Sequence, residues 1–118
     1  AAAIQGITIR DDLFERYRSS EDFIQKYIFP GGFLPSLGFM KSLIKKNNLN
    51  LLKVNSYPDD YAKTLATWRE NFLKVWSNIA PLGFDETFKR MWEFYLSYCE
   101  AGFKSKNIDL IQFSMSNK

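Results

Sequence analysis

The sequence of 118 residues contains no histidine and a single cysteine, Cys99. Without histidine there is no Ser-His-Asp triad and no His-containing zinc site, and one cysteine cannot form an intrachain disulfide or a zinc cluster. No apolar run approaches the roughly 20 residues that span a bilayer, and no charged-then-apolar secretory segment opens the chain. The sequence therefore predicts a cytoplasmic protein with no metal site, and any chemistry that it performs needs other side chains.

Catalytic motifs are also absent. Gly31-Gly32 lacks the third glycine of a dinucleotide-binding loop, and no Gly-x-Ser-x-Gly elbow occurs. The acidic pairs Asp11-Asp12 and Asp59-Asp60 are typical of solvated caps at the ends of helices. From the residues alone, the chain is an aromatic-rich α/β domain without a catalytic signature.

Aromatic residues are abundant, at 17% of the chain, and include 11 phenylalanines. This content fits either an ordinary core or a channel for an apolar ligand. The 16 basic and 13 acidic residues are interspersed and leave a net charge of +3, so nucleic acid is not expected as a partner. The basic excess favours contact with an anionic membrane surface, at about 1 kcal/mol for each nearby Lys or Arg.

The hydrophobic pattern predicts three strands separated by helices in one domain over 1–118. Ser19 or Ser20 is predicted to cap a helix that ends at Pro30, and Ser36 to cap the next. A five-turn helix with an apolar stripe is expected after Pro58, and Asp85 is expected to cap a last helix. The strands are predicted at about residues 3–9, 49–57 and 108–116.

Residues 25–36, QKYIFPGGFLPS, place large hydrophobic side chains on both sides of a Pro-Gly-Gly turn. Surface loops are usually built from small polar residues and glycine, so this turn is unusual. The pattern indicates a segment that binds an apolar partner.

Four segments together resemble the C-terminal portion of cyclopropane-fatty-acyl-phospholipid synthases and the related mycolic-acid methyltransferases. The segments are IQGITI, DFIQKYIFPGGFLPS, YAKTLATWRENF and FKRMWEFYLSYCEAGFKSKNIDLIQFSMSNK. The resemblance covers essentially the whole chain. It implies an S-adenosylmethionine-dependent methyltransferase that adds a methylene across a cis double bond of phospholipid acyl chains, working at the inner face of the membrane.

The resemblance also implies a fold, the C-terminal part of a Rossmann-like methyltransferase. In that fold the three strands form a mixed sheet in the order 3–9, 108–116, 49–57, with the last strand central and antiparallel. The family's cofactor loop lies upstream of the matched segment, so the chain is expected to be a fragment that lacks the S-adenosylmethionine site and is inactive alone. An open edge at strand 3–9 then favours a homo-oligomer, most simply a dimer.

Site residues follow from the same resemblance. A bicarbonate ion that serves as base is expected to contact the Tyr61 hydroxyl, the Ile7 backbone N–H and Gln5, which stands where the family commonly has histidine. A glutamine amide donates a hydrogen bond but cannot carry a proton as histidine can. The predicted acyl-pocket residues are Tyr27, Phe29, Phe33 and Trp68.

Two other functions fit the composition. One is a non-enzymatic lipid-binding or membrane-surface module, which would bind anionic vesicles without any effect of S-adenosylmethionine. The other is a protein-interaction domain that docks through the helix over 61–79.

For Trp68, which lies on a helical stripe, a core role is preferred over substrate contact.

Overall fold

A three-stranded antiparallel sheet carries helices on both of its faces in the computed structural model, which describes all residues 1–118. The strands are β1 (Ala2–Ile9), β2 (Leu49–Ser56) and β3 (Ile108–Asn117). The helices are α1 (Phe14–Arg18), α2 (Leu37–Lys46), α3 (Pro58–Lys74), α4 (Trp76–Ile79) and α5 (Glu86–Lys104). Short 3-10 turns cover Asp11–Leu13 and Ala80–Leu82, and a π-helical turn covers Ile24–Ile28.

The sheet has the order β1-β3-β2, so the last strand is central and antiparallel, as predicted. The expectation of a mixed sheet is wrong for this chain, since both ladders are antiparallel. β1 and β2 do run in the same direction, but β3 separates them and no parallel ladder forms. The β2–β3 register shifts between Leu51 and Lys53, which is typical of a β-bulge at a sheet edge.

Alternation along β3 divides the core into two clusters, because successive side chains of a strand point to opposite faces. Leu110 joins a cluster formed with α3 and α5, and the fully buried Phe103 lies in it. Ile111 and Phe113 face the other way and pack against Ile44 of α2. A strand that is buried on both faces is expected at the centre of a sheet.

Helices α3 and α5 form a hairpin on one face of the sheet. Glu100 of α5 is nearly buried and bonds to Arg69 of α3 at 3.0 Å, which ties the two helices together. The predicted caps of two helices are confirmed, since the side chain of Ser36 accepts from Phe39 N–H and that of Asp85 accepts from Phe88 N–H.

Two predicted helices differ from the structure. The hydroxyls of Ser19 and Ser20 donate to the carbonyls of Glu15 and Arg16, so these serines end α1 and do not begin a helix. The five-turn helix after Pro58 is interrupted at the β-branched Val75, which separates α3 from α4.

The outer edge of β1 is open along most of its length. Ile9 donates its N–H to the carbonyl of Pro35 at 2.9 Å and forms an isolated bridge with Ser36. Earlier residues of β1 pair only with β3.

None of the helices has the combination of length and apolar character that crossing a bilayer requires.

Candidate functional site

The Pro-Gly-Gly segment forms a tight turn in which Gly32 N–H donates to the carbonyl of Phe29 at 2.8 Å. Pro30 precedes Gly31, whose φ of +78° lies in the left-handed region, as a type II turn requires at its third residue. A Cβ at Gly32 would come within 2.8 Å of the Phe29 carbonyl oxygen, so glycine is needed there too. The turn therefore fixes Phe29 and Phe33 on either side of it.

An apolar cavity of about 350 Å³ lies between this turn, the start of α3 and the second half of α5. This volume is in the range of small-ligand pockets. Twelve of its 15 lining residues are hydrophobic. Four of the predicted site residues line it together: Ile7, Phe29, Phe33 and Tyr61.

Tyr61 occupies the first turns of α3, with its ring packed edge-on against Phe103 at 4.9 Å between centroids. Its hydroxyl makes no hydrogen bond within the chain, although the ring lines the cavity. Burial raises the pKa of Tyr61, and Cys99 raises it further. The hydroxyl is therefore protonated at neutral pH and is free to donate a hydrogen bond to a bound group.

Ile7 lines the cavity with its side chain, and its backbone N–H points to the open edge of β1. This direction follows because Ile9 N–H donates outward to Pro35, and N–H groups two residues apart in a strand point the same way. Gln5 lies on the same sheet face but outside the cavity, where its amide oxygen accepts from Gln112 at 2.9 Å. The structure thus brings Ile7 to the cavity with Tyr61, and leaves Gln5 outside.

Tyr27 and Trp68 also lie outside the lining of the cavity. Tyr27 is 55% exposed and packs on Phe23, with Lys26 Nζ above its ring. Trp68 is 48% exposed and contacts Tyr61 edge-on at 5.9 Å between centroids. Trp68 therefore supports the ring of Tyr61 from outside, which makes it neither a core residue nor a lining residue.

Tyr95 and Cys99 line the cavity without having been predicted as site residues. Burial raises the pKa of Tyr95 to about 12 and that of Cys99 to about 11, so both groups stay protonated at neutral pH. Both residues belong to the apolar stripe of α5, and this stripe was the feature of the sequence that could have indicated them. A stripe alone does not distinguish residues around a cavity from residues in a filled core.

The fold is an α/β domain with one antiparallel sheet and an apolar cavity beside it. A family model described as mycolic acid cyclopropane synthetase matches residues 2–113. The chain belongs to this family, as the resemblance in the sequence had indicated.

Relatives of known activity agree with this assignment. The chain is 43% identical to tuberculostearic acid methyltransferase UfaA1 of Mycobacterium tuberculosis, over 96% of this chain and 27% of that protein. It is 35% identical to the cyclopropane-fatty-acyl-phospholipid synthase of Escherichia coli K12, over 81% of this chain and 25% of the relative. The chain thus spans about a quarter of the length of these curated relatives.

A solved structure shows the same fold. Mycolic acid cyclopropane synthase CmaA1, complexed with SAH and CTAB, superposes with a TM-score of 0.82 at 26% identity. The match covers 96% of this chain and 42% of that chain. Homologues of this chain are therefore methyltransferases that act on lipids.

Proposed function

We propose that this chain forms the acyl-chain pocket of an S-adenosylmethionine-dependent methyltransferase that adds a methylene across a cis double bond of a phospholipid acyl chain. The observation that carries the proposal is the apolar cavity between Phe29, Phe33, Tyr61 and Ile7. Its lining contains no Lys or Arg, so it suits an alkyl chain and does not suit a phosphate. The family relationship supports the reaction class.

Phe29 and Tyr61 have a further role in this proposal. S-adenosylmethionine supplies the methyl group when bound, and its transfer to an alkene leaves positive charge on the alkyl chain. The faces of aromatic rings attract a cation by about 0.5–2 kcal/mol each. Phe29 and Tyr61 both line the cavity, which supports this role for their rings.

We also propose a site for a small anion beside this cavity. The Tyr61 hydroxyl has no partner in the chain, and the Ile7 N–H lies on the open edge of β1. Two neutral donors fit bicarbonate, which would supply a base when bound. Gln5 is engaged with Gln112 and would contribute only after a change of side-chain conformation.

A phospholipid substrate implies work at a membrane surface. The basic excess of +3 supports attraction to anionic lipid, and exposed aromatic side chains such as Tyr27 and Phe29 beside the cavity support contact with its interface. In this proposal the protein binds the membrane peripherally and takes one acyl chain into the cavity.

The test uses the full-length protein that contains this chain, incubated with labelled S-adenosylmethionine and dioleoyl phospholipid vesicles. We expect label in the acyl chains and a mass gain of one CH₂ group. NMR then distinguishes a cyclopropane, in which the double bond is lost, from a branched product of the same mass, which keeps one double bond. Vesicles of fully saturated phospholipid are the matched control and should take up no label. Tight vesicle binding without any transfer would contradict the proposal and favour a non-enzymatic lipid-binding module.

A further inference from the structure

All three tryptophans of the chain belong to one aromatic surface of the hairpin that α3, α4 and α5 form. Ring contacts run along each helix and cross from α3 to α5, where the centroids of Phe72 and Phe88 are 6.4 Å apart. Phe84 extends this surface to the tip of the hairpin, with its ring centroid 4.6 Å from that of Phe88. The aromatic face, as we call it, comprises Trp68, Phe72, Trp76, Phe84, Phe88 and Trp92.

The aromatic face is not part of the core. The buried apolar residues of the hairpin form a cluster with Leu110 of β3, and no residue of the aromatic face is buried. Trp68 is 48% exposed, and at the tip Leu82 is 75% exposed. A patch of large apolar side chains that stays exposed in one region is typical of an interaction surface.

The aromatic face adjoins the acyl cavity. Tyr61 and Tyr95 line the cavity and also contact the face, since Tyr61 packs on Trp68 with centroids 5.9 Å apart and Tyr95 packs on Trp92 at 5.0 Å. From Tyr61 to the end of α3 at Lys74 the helix rises about 20 Å, at 1.5 Å per residue. The cavity and the tip are therefore the two ends of one continuous apolar strip.

Charged residues border the aromatic face and do not interrupt it. Glu70 and Lys74 each follow a ring of the face by two residues, which places them about 200° around α3 from that ring. Lys89 forms no ion pair and holds its Nζ 5.6 Å above the centroid of the Trp76 ring. Aromatic side chains on one side of a helix, charged ones on the other and a lysine at the border are typical of helices that lie in a membrane interface.

We propose that the aromatic face is the surface by which the protein lies on a lipid bilayer, with the hairpin parallel to the membrane plane and Leu82 and Phe84 inserted among the lipids. This inference rests on the proposed acyl-binding function of the cavity. Exposure of each CH₂ group of an acyl chain to water carries a free-energy cost, so the chain has to pass from the bilayer to the cavity along an apolar path. A face that adjoins the cavity provides such a path, and tryptophan rings suit the boundary between head groups and hydrocarbon.

The test removes the tip side chains and leaves the cavity intact. The full-length protein carrying Leu82→Ser and Phe84→Ser is sedimented with vesicles of dioleoyl phosphatidylcholine and dioleoyl phosphatidylglycerol. We expect its partition coefficient to fall about tenfold or more, because two apolar side chains no longer leave water on binding. Leu43→Ser with Leu52→Ser is the matched control, since these two leucines are also exposed but lie on α2 and β2, and it should bind as the wild type does.

Methyl transfer separates docking from chemistry. On vesicles, the tip variant should lose activity by about the same factor as it loses binding. Oleoyl lysophospholipid below its critical micelle concentration offers a cis double bond without a bilayer, and transfer to this dissolved substrate should be unchanged. The midpoint of chemical denaturation should also stay at that of the control variant, because the two side chains are exposed.

Each other outcome overturns one of the two proposals. Wild-type vesicle binding by the tip variant would overturn the docking surface and leave the acyl cavity standing. A loss of transfer to the dissolved substrate, or a lowered denaturation midpoint, would overturn it as well, because the tip would then pack against another part of the full-length protein. A smaller oligomer in light scattering with unchanged vesicle binding would assign the face to a second copy of the chain. Absence of transfer by the wild type to either substrate would instead contradict the proposed function, and sedimentation would still decide the docking surface.

Discussion

Replacing Tyr61 with phenylalanine removes one hydroxyl and leaves the ring in place. The ring packs against Phe103 of α5 with the centroids 4.9 Å apart, and against Trp68 of α3 itself at 5.9 Å. The hydroxyl has no hydrogen-bond partner in the chain, so its loss breaks no internal bond. We therefore expect Tyr61→Phe to change the free energy of unfolding by less than about 0.5 kcal/mol, as for a substitution without a named structural cost.

Activity should respond differently. If the hydroxyl donates to a catalytic anion, its loss raises the barrier by about 1–3 kcal/mol, or roughly tenfold to a hundredfold in rate. Methyl transfer to dioleoyl phospholipid by the full-length protein measures this, and we expect kcat to fall while the KM for lipid changes little. Chemical denaturation of the same variant measures stability.

Tyr57→Phe is the matched control, because Tyr57 lies at the start of α3 outside the cavity and its hydroxyl also has no partner in the chain. This variant should keep both activity and stability. Wild-type turnover in Tyr61→Phe at limiting bicarbonate would refute the role of the hydroxyl. A loss of stability as large as the loss of activity would show that Tyr61 acts through the fold.

Calorimetry of the 118-residue chain with S-adenosylmethionine should show no measurable binding, because its glycines do not form a cofactor loop; micromolar affinity would contradict this. Phe103→Ala should lower the free energy of unfolding, measured by chemical denaturation, by about 3–5 kcal/mol, because the side chain of Phe103 is fully buried. Phe94→Ala should lower it clearly less, because Phe94 is half-exposed, and equal losses would argue against the assigned core. The free energy of unfolding should fall as pH rises from 9 to about 11, because burial raises the pKa of Cys99 in the folded state to about 11 and the thiol of the unfolded chain ionises at lower pH. Cys99→Ala should flatten this decline, and an unchanged slope would exclude the Cys99 thiol as its cause. Light scattering should detect a dimer that is joined through the open edge of β1. Ala3→Pro removes one N–H from that edge and should weaken the dimer. A monomer at tens of micromolar would contradict the predicted dimer.

The sequence predicted the strands and long helices well because their signals are local. The apolar residues of β3 and the stripe on α5 each reflect burial of one element against its neighbours. The order of the sheet came from the family resemblance, since periodicity does not specify which strands pair. The region from Ser19 to Ile28 was predicted less well, because its serines bond backward to α1 and Asp22 caps the next turn.

The site was predictable where residues lie near each other in a quoted motif, as Phe29 and Phe33 do. Tyr95, Cys99 and Asp22 were missed because their proximity depends on how α5 packs under the Pro-Gly-Gly turn. The position of Gln5 was also unpredictable, since its bond to Gln112 joins residues from opposite ends of the chain.

Photo-crosslinking tests the acyl-binding claim most directly. A phospholipid with a diazirine in the middle of its acyl chain would be irradiated with the full-length protein, and adducts would be located by mass spectrometry of peptides. We expect adducts on residues around the cavity, namely Phe29, Phe33, Tyr61 and Cys99, with competition by unlabelled dioleoyl phospholipid. Adducts confined to the exposed residues Leu82 and Phe84 beyond α4, with none in the cavity, would contradict the account.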